Sequence, residues 1–311
     1  MRKFFTLFIL LIGFGLLSAC AGAPPNIRIP KTPPPAPILK HPARVALVLG
    51  SGGARGYAHL GVLQVLQWAG VPIDLVVGAS AGSYVGAVFA DSGNATKAYH
   101  IMMHAGFWNM ADVGNFPSLK GIMTGWNLEK YLLSNMHARD FRQLKIKYVA
   151  ATTDLLTGKS YMIQSGPIPP AVVASAAVPG VVRPVHLYGH TLVDGGVADP
   201  VPVKLARRFH PRVIIAVNIA EQLYPVIPST GIGIFERANN IIWTRLTGYS
   251  LMGANVVIRP KVGDVGTFDM DARYQMYLAG YYAALKALPR IKRLLRQHHI
   301  ALIPKSKRVV K

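Results

Sequence analysis

Residues 73–82 read Ile73-Asp74-Leu75-Val76-Val77-Gly78-Ala79-Ser80-Ala81-Gly82 and decide the fold class. Ile73 to Val77 is a short apolar run of the kind that forms a strand buried on both faces. Ala81 to Ala90 is a small-residue run of helical character. Between them Gly78 to Gly82 spells G-x-S-x-G in its strand–turn–helix context. A serine on so tight a turn needs small neighbours, and Gly78, Ala79, Ala81 and Gly82 all comply. Such a turn projects the hydroxyl away from the sheet beside a helix N-terminus, which makes Ser80 the candidate nucleophile. The plainer alternative is a structural turn.

The same pattern continues outward. Arg44 to Leu49 reads as a buried strand, followed by a Gly-rich loop and an apolar-periodic helix, Ala58 to Trp68. Further strands are expected at Ile146 to Thr152, Thr191 to Asp194 and Val213 to Asn218. Helices are expected at Asn127 to Met136, Pro202 to Phe209 and Phe235 to Leu251. Apolar strands alternating with helices predict an α/β domain of about 260 residues, its largely parallel central sheet flanked by helices. There is no internal repeat.

Active sites of such sheets lie at the carboxyl ends of the strands, where two more loops stand out. Gly50-Ser51-Gly52-Gly53-Ala54-Arg55-Gly56 allows close backbone approach, and its N–H groups can meet developing negative charge. A dinucleotide loop is the rival, but its third glycine would fall where Arg55 stands, and there is no Walker lysine. An oxyanion site fits better. Leu192-Val193-Asp194-Gly195-Gly196 ends a strand on an aspartate. The chain has only 13 carboxylates, so the candidate acid or base narrows to Asp154, Asp194 and Asp199. Asp194 also reads as a turn aspartate bonding its own backbone.

Together the three loops resemble those of bacterial patatin-like phospholipases, in the neuropathy-target-esterase-like branch. That family carries a G-G-x-R/K-G loop, a G-x-S-x-G elbow and an Asp-Gly-Gly/Ala motif in this order. Here they are Gly52 to Gly56, Gly78 to Gly82 and Asp194 to Gly196. Ala151-Thr152-Thr153-Asp154-Leu155-Leu156-Thr157-Gly158 and Ser175-Ala176-Ala177-Val178-Pro179-Gly180 match as well. The resemblance covers about Arg44 to Leu288. Ser51 departs from it, standing where many members have a third glycine.

The resemblance implies a three-layer patatin-like fold and a Ser–Asp dyad. Ser80 attacks an ester carbonyl to form an acyl-enzyme, and Asp194 takes its proton and later activates water. N–H groups around Gly52, Gly53 and Arg55 hold the oxyanion, while Gly78, Gly82, Gly195 and Gly196 are motif glycines. Phospholipid, lysophospholipid and simple lipid esters all suit it as substrates; no cofactor and no metal is needed. An ordinary Asp, with a pKa of about 3.9, is a weak base, so the site has to be desolvated.

Two other functions compete. A Ser-His-Asp hydrolase would draw on His186 or His190, or on His210, His298 or His299 following the acid. A lipid-tethered binding protein with a degenerate hydrolase fold is the second, although it has no need to keep both Ser80 and Asp194. His100 and His104 are four apart on an expected helix, which is metal-ligand spacing, but no Glu accompanies them as in H-E-x-x-H. A helix-surface pair is the simpler account. Phe107, Trp108, Phe116 and Trp126 follow the elbow helix and take no assigned role, as core, lid or pocket.

The chain has 311 residues, 34 Lys+Arg against 13 Asp+Glu, and a formal charge of +21. Such an excess favours an anionic partner, nucleic acid or membrane. With 51% hydrophobic residues the chain is not wholly disordered, and one cysteine permits no disulfide framework.

The ends of the chain favour the membrane. Met1-Arg2-Lys3 and the apolar run Phe4 to Leu17 have signal-peptide anatomy. Leu17-Ser18-Ala19-Cys20 resembles a bacterial lipobox, so residues 1–19 are expected to be cleaved and Cys20 lipidated. Ala21 then points to the outer membrane of a Gram-negative cell. Residues 20–42 form a proline-rich tether reaching on the order of 60 Å at about 3.1 Å per residue. Residues 43–285 are the expected hydrolase domain. Residues 286–311 carry nine basic and no acidic residues, with Leu285, Leu288, Ile291, Leu294 and Leu295 at helical spacing. This basic amphipathic helix either docks on anionic lipid or packs on the domain. Nucleic acid is disfavoured: no recognisable binding module is present, and export puts it in another compartment.

Overall fold

The computed structural model describes residues 26–39, 41–106, 112, 122–220, 227–267, 269–304 and 306. The expected signal peptide, Cys20, Phe107, Trp108, Phe116 and the last basic residues lie outside them. The strands are β1 (Val45–Leu49), β2 (Ile73–Ala79), β3 (Lys147–Asp154), β4 (Ser160–Ile163), β5 (Val185–Leu187), β6 (His190–Asp194), β7 (Val213–Val217) and β8 (Val256–Ile258). The helices are α1 (Tyr57–Trp68), α2 (Ala81–Ser92), α3 (Ala95–His104), α4 (Trp126–Asn135), α5 (Ile168–Ser175), α6 (Val203–Arg207), α7 (Gly231–Ser250) and α8 (Arg273–Gln297).

Hydrogen bonding orders the sheet β5-β6-β3-β2-β1-β7-β8, with β4 also on β3. The run from β3 through β8 is parallel, and the β4, β5 and β6 pairings are antiparallel. Along β1 the side chains alternate between two cores. Val45, Leu47 and Leu49 join the larger one with α1, α2 and α8, while Ala46 and Val48 join a smaller one with α6. That is the expected three-layer α/β fold.

The pairings on β3 determine where the site forms. Ala150 and Ala151 pair with both β2 and β4, so those two strands lie on opposite edges. Thr152 and Thr153 pair with both β4 and β6, so β6 shares the edge of β2. Since β2 runs parallel to β3 and β6 antiparallel, they advance toward each other along one edge. Their carboxyl ends meet where Ala79 pairs with Ala151 and Asp194 with Thr152. Ser80 and Asp194, 114 positions apart in sequence, thereby become neighbours.

Two expectations about the ends change. The boundary at residue 285 falls inside α8, one helix whose Met276, Gly280, Ala284, Leu288, Ile291 and Leu295 are buried. Its apolar stripe lies on α1, so the packed reading describes it and its basic residues lie on the remaining faces. The tether also lies against the domain over part of its length. Leu39 packs on the smaller core, and Lys147 Nζ donates to the Pro37 carbonyl. Prolines carry no N–H, so what such a segment offers is carbonyls and apolar rings. No described helix is long and apolar enough to cross a membrane.

Candidate active site

Ser80 stands between β2 and α2 with φ 53° and ψ −121°, a left-handed conformation rare for a residue with a side chain. The turn persists because its neighbours have no bulk. A Cβ on Gly78 would lie 2.3 Å from the Gly82 carbonyl oxygen, and one on Gly82 would lie 2.2 Å from that of Leu49. The Ser80 N–H donates to both the carbonyl and the hydroxyl of Ser175, each at 3.1 Å. The Ser175 hydroxyl donates onward to the Ala151 carbonyl at 2.6 Å. Two residues along, Ala177 O accepts from the Asp194 N–H at 2.9 Å. The C-terminal end of α5 and the residues just after it thus hold the backbone of both candidate residues.

Asp194 is buried. One carboxyl oxygen, Oδ1, accepts from the Gly196 N–H at 2.7 Å, and the other, Oδ2, is buried with no hydrogen-bond partner among the described residues. Burial pushes its pKa up to about 6; the facing Ser80 side chain and the Gly196 N–H pull in the opposite direction. A carboxyl so placed can exchange a proton near neutral pH. Asp154 is occupied elsewhere: its carboxylate accepts from His190, at 2.5 Å, and from the N–H groups of Leu156 and Thr157. The His190 hydrogen bond leads the contacts that hold it below the usual carboxylate range. Asp199 is raised to about 6 by burial against the opposing pull of Ser250 and Lys204, and its side-chain partner is Ser250, whereas Asp194 faces Ser80.

The Gly-rich loop is pinned on both sides. Gly50 N donates to Val217 O, Ser51 N to Pro200 O and Ala54 N to Thr267 O. Gly52 and Gly53 are left with N–H groups that meet no acceptor among the described residues. At Gly53, φ is 57° and a Cβ would lie 2.3 Å from the Thr267 carbonyl oxygen, so only glycine fits. Arg55 requires a correction to the expected oxyanion set. Its N–H closes a turn onto Gly52 O at 3.2 Å, its Nε donates to that same oxygen at 3.1 Å, and its guanidinium lies over Trp243. Arg55 braces the loop, and Gly52 and Gly53 are the available donors. Ser51 retains its N–H in the scaffold, so its departure from glycine leaves that pair intact.

One histidine matters that sequence reasoning missed. His59 is fully buried on α1, and its Nε2 bonds Gly50 O at 2.8 Å. Burial lowers its pKa to about 4. The ring is therefore neutral at pH 7 and its Nε2–H supports the loop from below. The signal available was a histidine in an otherwise apolar helix, which does not reveal its partner.

Ser80, Ala81 and Gly53 open onto an apolar pocket, lined also by Tyr84, Met102, Leu128 and Val182. No histidine is among its lining residues. His190 is bonded to Asp154 and His186 to Thr191. His210, His298 and His299 are outside the pocket as well. Trp126 begins α4 beside the pocket residues Gly125 and Leu128 without lining it. His104 Nδ1 bonds the His100 carbonyl at 2.7 Å, and among the described residues no three His, Cys, Asp or Glu are grouped to hold a metal ion.

A hydroxyl on a strained turn, a raised carboxyl facing it and two N–H donors left without acceptors among the described residues make an arrangement that suits nucleophilic acyl transfer. A family model described as "Patatin-like phospholipase" matches residues 47–207, just over half of the chain, and the chain belongs to that family. An uncharacterized NTE family protein of Mycobacterium tuberculosis is 38% identical over 181 residues, 57% of this chain and 49% of that protein. Patatin-like phospholipase domain-containing protein 6 of Mus musculus is 32% identical over 188 residues, 57% of this chain and 14% of that protein. Lysophospholipase NTE1 of Coccidioides immitis is 33% identical over 183 residues, 56% of this chain and 11% of that protein. The chain spans about half the length of the mycobacterial relative and less of the others. The solved structure of VipD from Legionella pneumophila has a TM-score of 0.52 at 15% identity, over 83% of this chain and 67% of that one. That likeness is one of fold.

Proposed function

We propose that this protein is a serine lipid acyl hydrolase of the phospholipase A, lysophospholipase or esterase type. The observation that carries the proposal is that the buried Asp194 faces Ser80, which itself lines an apolar pocket. The acyl chain of a lipid ester lies in the pocket, and its carbonyl sits against the Gly52 and Gly53 N–H groups. Ser80 Oγ attacks the carbonyl carbon and its proton passes to Asp194. The oxyanion collapses, the alcohol departs with that proton, and the acyl group remains on Ser80. Water then loses a proton to Asp194 as it attacks the acyl-enzyme, releasing the fatty acid and restoring Ser80. The α2 N-terminus beside Ser80 favours the negative charge that develops. The name of the Coccidioides relative supports a lysophospholipid among the substrates.

The remaining assignments rest on the sequence. Cleavage before Cys20 and lipidation there would anchor the protein in the outer membrane of a Gram-negative cell, beside its substrate. Removal of residues 1–19 takes away only Arg2 and Lys3 among the basic residues, so the mature chain keeps nearly all its positive charge.

The test is mass-spectrometric product analysis on defined phospholipids and lysophospholipids, wild type beside Ser80→Ala. Release of fatty acid by the wild type alone is expected. A serine-directed phosphonate should label the wild type and not Ser80→Ala; a folded wild type that neither labels nor hydrolyses would refute the assignment. Palmitate incorporation abolished by Cys20→Ser tests the anchor.

A further inference from the structure

Helix α7 is built the wrong way round for a helix that packs on a domain. Among its described side chains only Thr247 is buried. Its large apolar side chains are turned outward: Phe235 is 69% exposed, Ile242 65%, Tyr249 69% and Ile234 56%. With Ile241, these positions recur every seven residues (234/241, 235/242 and 242/249), which places them on one stripe. Trp243 and Thr247 mark the opposite face. Exposed apolar surface of this extent marks a contact with something else.

The inner face ties the helix to the candidate site. Trp243 Nε1 donates to the Gly196 carbonyl at 3.2 Å, and the Gly196 N–H is the donor that holds Asp194 Oδ1. Val197, next along the chain, is itself 47% exposed. The outward stripe is thus one side chain away from the backbone that positions the proposed base.

Charge selects among possible occupants. Arg245 stands exposed within the stripe, and no acidic residue occurs between Arg237 and Ser250. Two copies meeting on this face would bring together chains of formal charge +21 each, whereas an anionic surface is attracted to it. The other amphipathic helix, α8, already has its apolar stripe covered by α1. We propose that α7 is the element that docks this protein on an anionic phospholipid bilayer, its stripe entering the interface parallel to the surface. The choice of partner rests on the lipid-hydrolase reading above; the unpartnered stripe does not.

The experiment uses the full chain carrying Cys20→Ser, so that no acyl anchor contributes, in a Ser80→Ala background. Co-sedimentation with phosphatidylglycerol–phosphatidylcholine vesicles is compared with and without Phe235→Ser/Ile242→Ser, and again with Phe235→Asp/Ile242→Asp. Partitioning should fall about tenfold with serine and further with aspartate. Both positions are exposed, so the thermal midpoint should hold. With Ser80 restored, the serine variant should lose about tenfold on vesicle lipid and keep its rate on a soluble short-chain ester within about twofold. Unchanged vesicle binding overturns the proposal. So does a change from dimer to monomer in the variants with vesicle binding retained, which would assign the stripe to a second copy. Equal loss on both substrates overturns it too, by making α7 a support of the site. Binding that depends on α7 in a wild type that cleaves no ester would uphold the docking and refute the hydrolase reading.

Discussion

Because burial raises Asp194 to about 6, the proposed base acquires its deprotonated form only as pH rises through that value. The kcat/KM for a soluble ester should therefore climb between about pH 5 and 7 and level off above, and a pH–rate profile checks this. The stability effect has the opposite sign. The unfolded carboxyl ionises near 3.9, so the folded state loses stability as pH rises through the window from about 4 to 6. Asp194→Asn should be at least about 10³-fold slower and yet melt higher at pH 8, by up to roughly 2–3 kcal/mol. At pH 3.5 that gain should vanish in calorimetry. Ser175→Ala removes a hydroxyl that joins Ser80 N to Ala151 O. It should lower kcat on the order of 10²-fold with little change in KM, and cost about 1–3 kcal/mol in denaturant unfolding. Ser80 and Asp194 stood out in sequence as candidates because tight turns leave a local signature of small residues. The Ser175 clamp was not, since a hydrogen bond across 95 positions leaves none. Arg55 was misread for a related reason: sequence shows that a loop has N–H groups, but not which of them the loop itself consumes.

At the scale of elements, the approach of α1 to α8 is set by glycine on both sides. A Cβ on Gly61 would lie 2.1 Å from Tyr277 O, and one on Gly280 would lie 1.8 Å from Ala58 O. The obstructing atoms are backbone, so the helices would have to separate. Gly280→Ala should destabilise the fold by about 1–3 kcal/mol or more, despite alanine's better helix propensity, and a urea melt reads it. The long apolar strands β1, β2, β3 and β7 were foreseeable from their continuous apolar runs. The short ones, β4, β5 and β8, have three or four residues each and too little pattern to stand out. Helix α5 was hidden by Pro169 and Pro170, which a helix accepts in its first turn and hardly anywhere else.

For the molecule as a whole, the basic C-terminal stretch is structural before it is anything else. Ending the chain after Leu285 would cut α8 in half and strip Leu288, Ile291 and Leu295 from the core. Each buried aliphatic contributes about 1.5–3 kcal/mol, so the truncated chain should melt more than about 10 °C lower or fail to accumulate; differential scanning fluorimetry decides. Sequence reading left docking and packing open for this helix because charge and apolar spacing look alike in both, and only a neighbour distinguishes them. That neighbour, α1, lies more than 200 residues away. Helix α7 presents the converse: its periodicity was legible, but not that its apolar side faces outward.

The meeting of β2 and β6 on one edge of β3 also bears on how such a protein can diversify. Ala79 and Asp194 are paired to adjacent residues of one strand, so the spacing of Ser80 and the acid is set by backbone rise, about 3.3 Å per residue. The connections between them do not enter into it. The chain from 105 to 135, which supplies Met123, Gly125 and Leu128 to the pocket, can lengthen or be exchanged while the chemistry stays where it is. A slip of β6 by a single residue would instead swing the carboxyl to the opposite face of the sheet. Part of the pocket wall thus lies on a stretch of chain separate from the proposed dyad, and under the proposed function a laboratory library confined to 105–135 should change which lipids are cut while sparing Ser80 and Asp194.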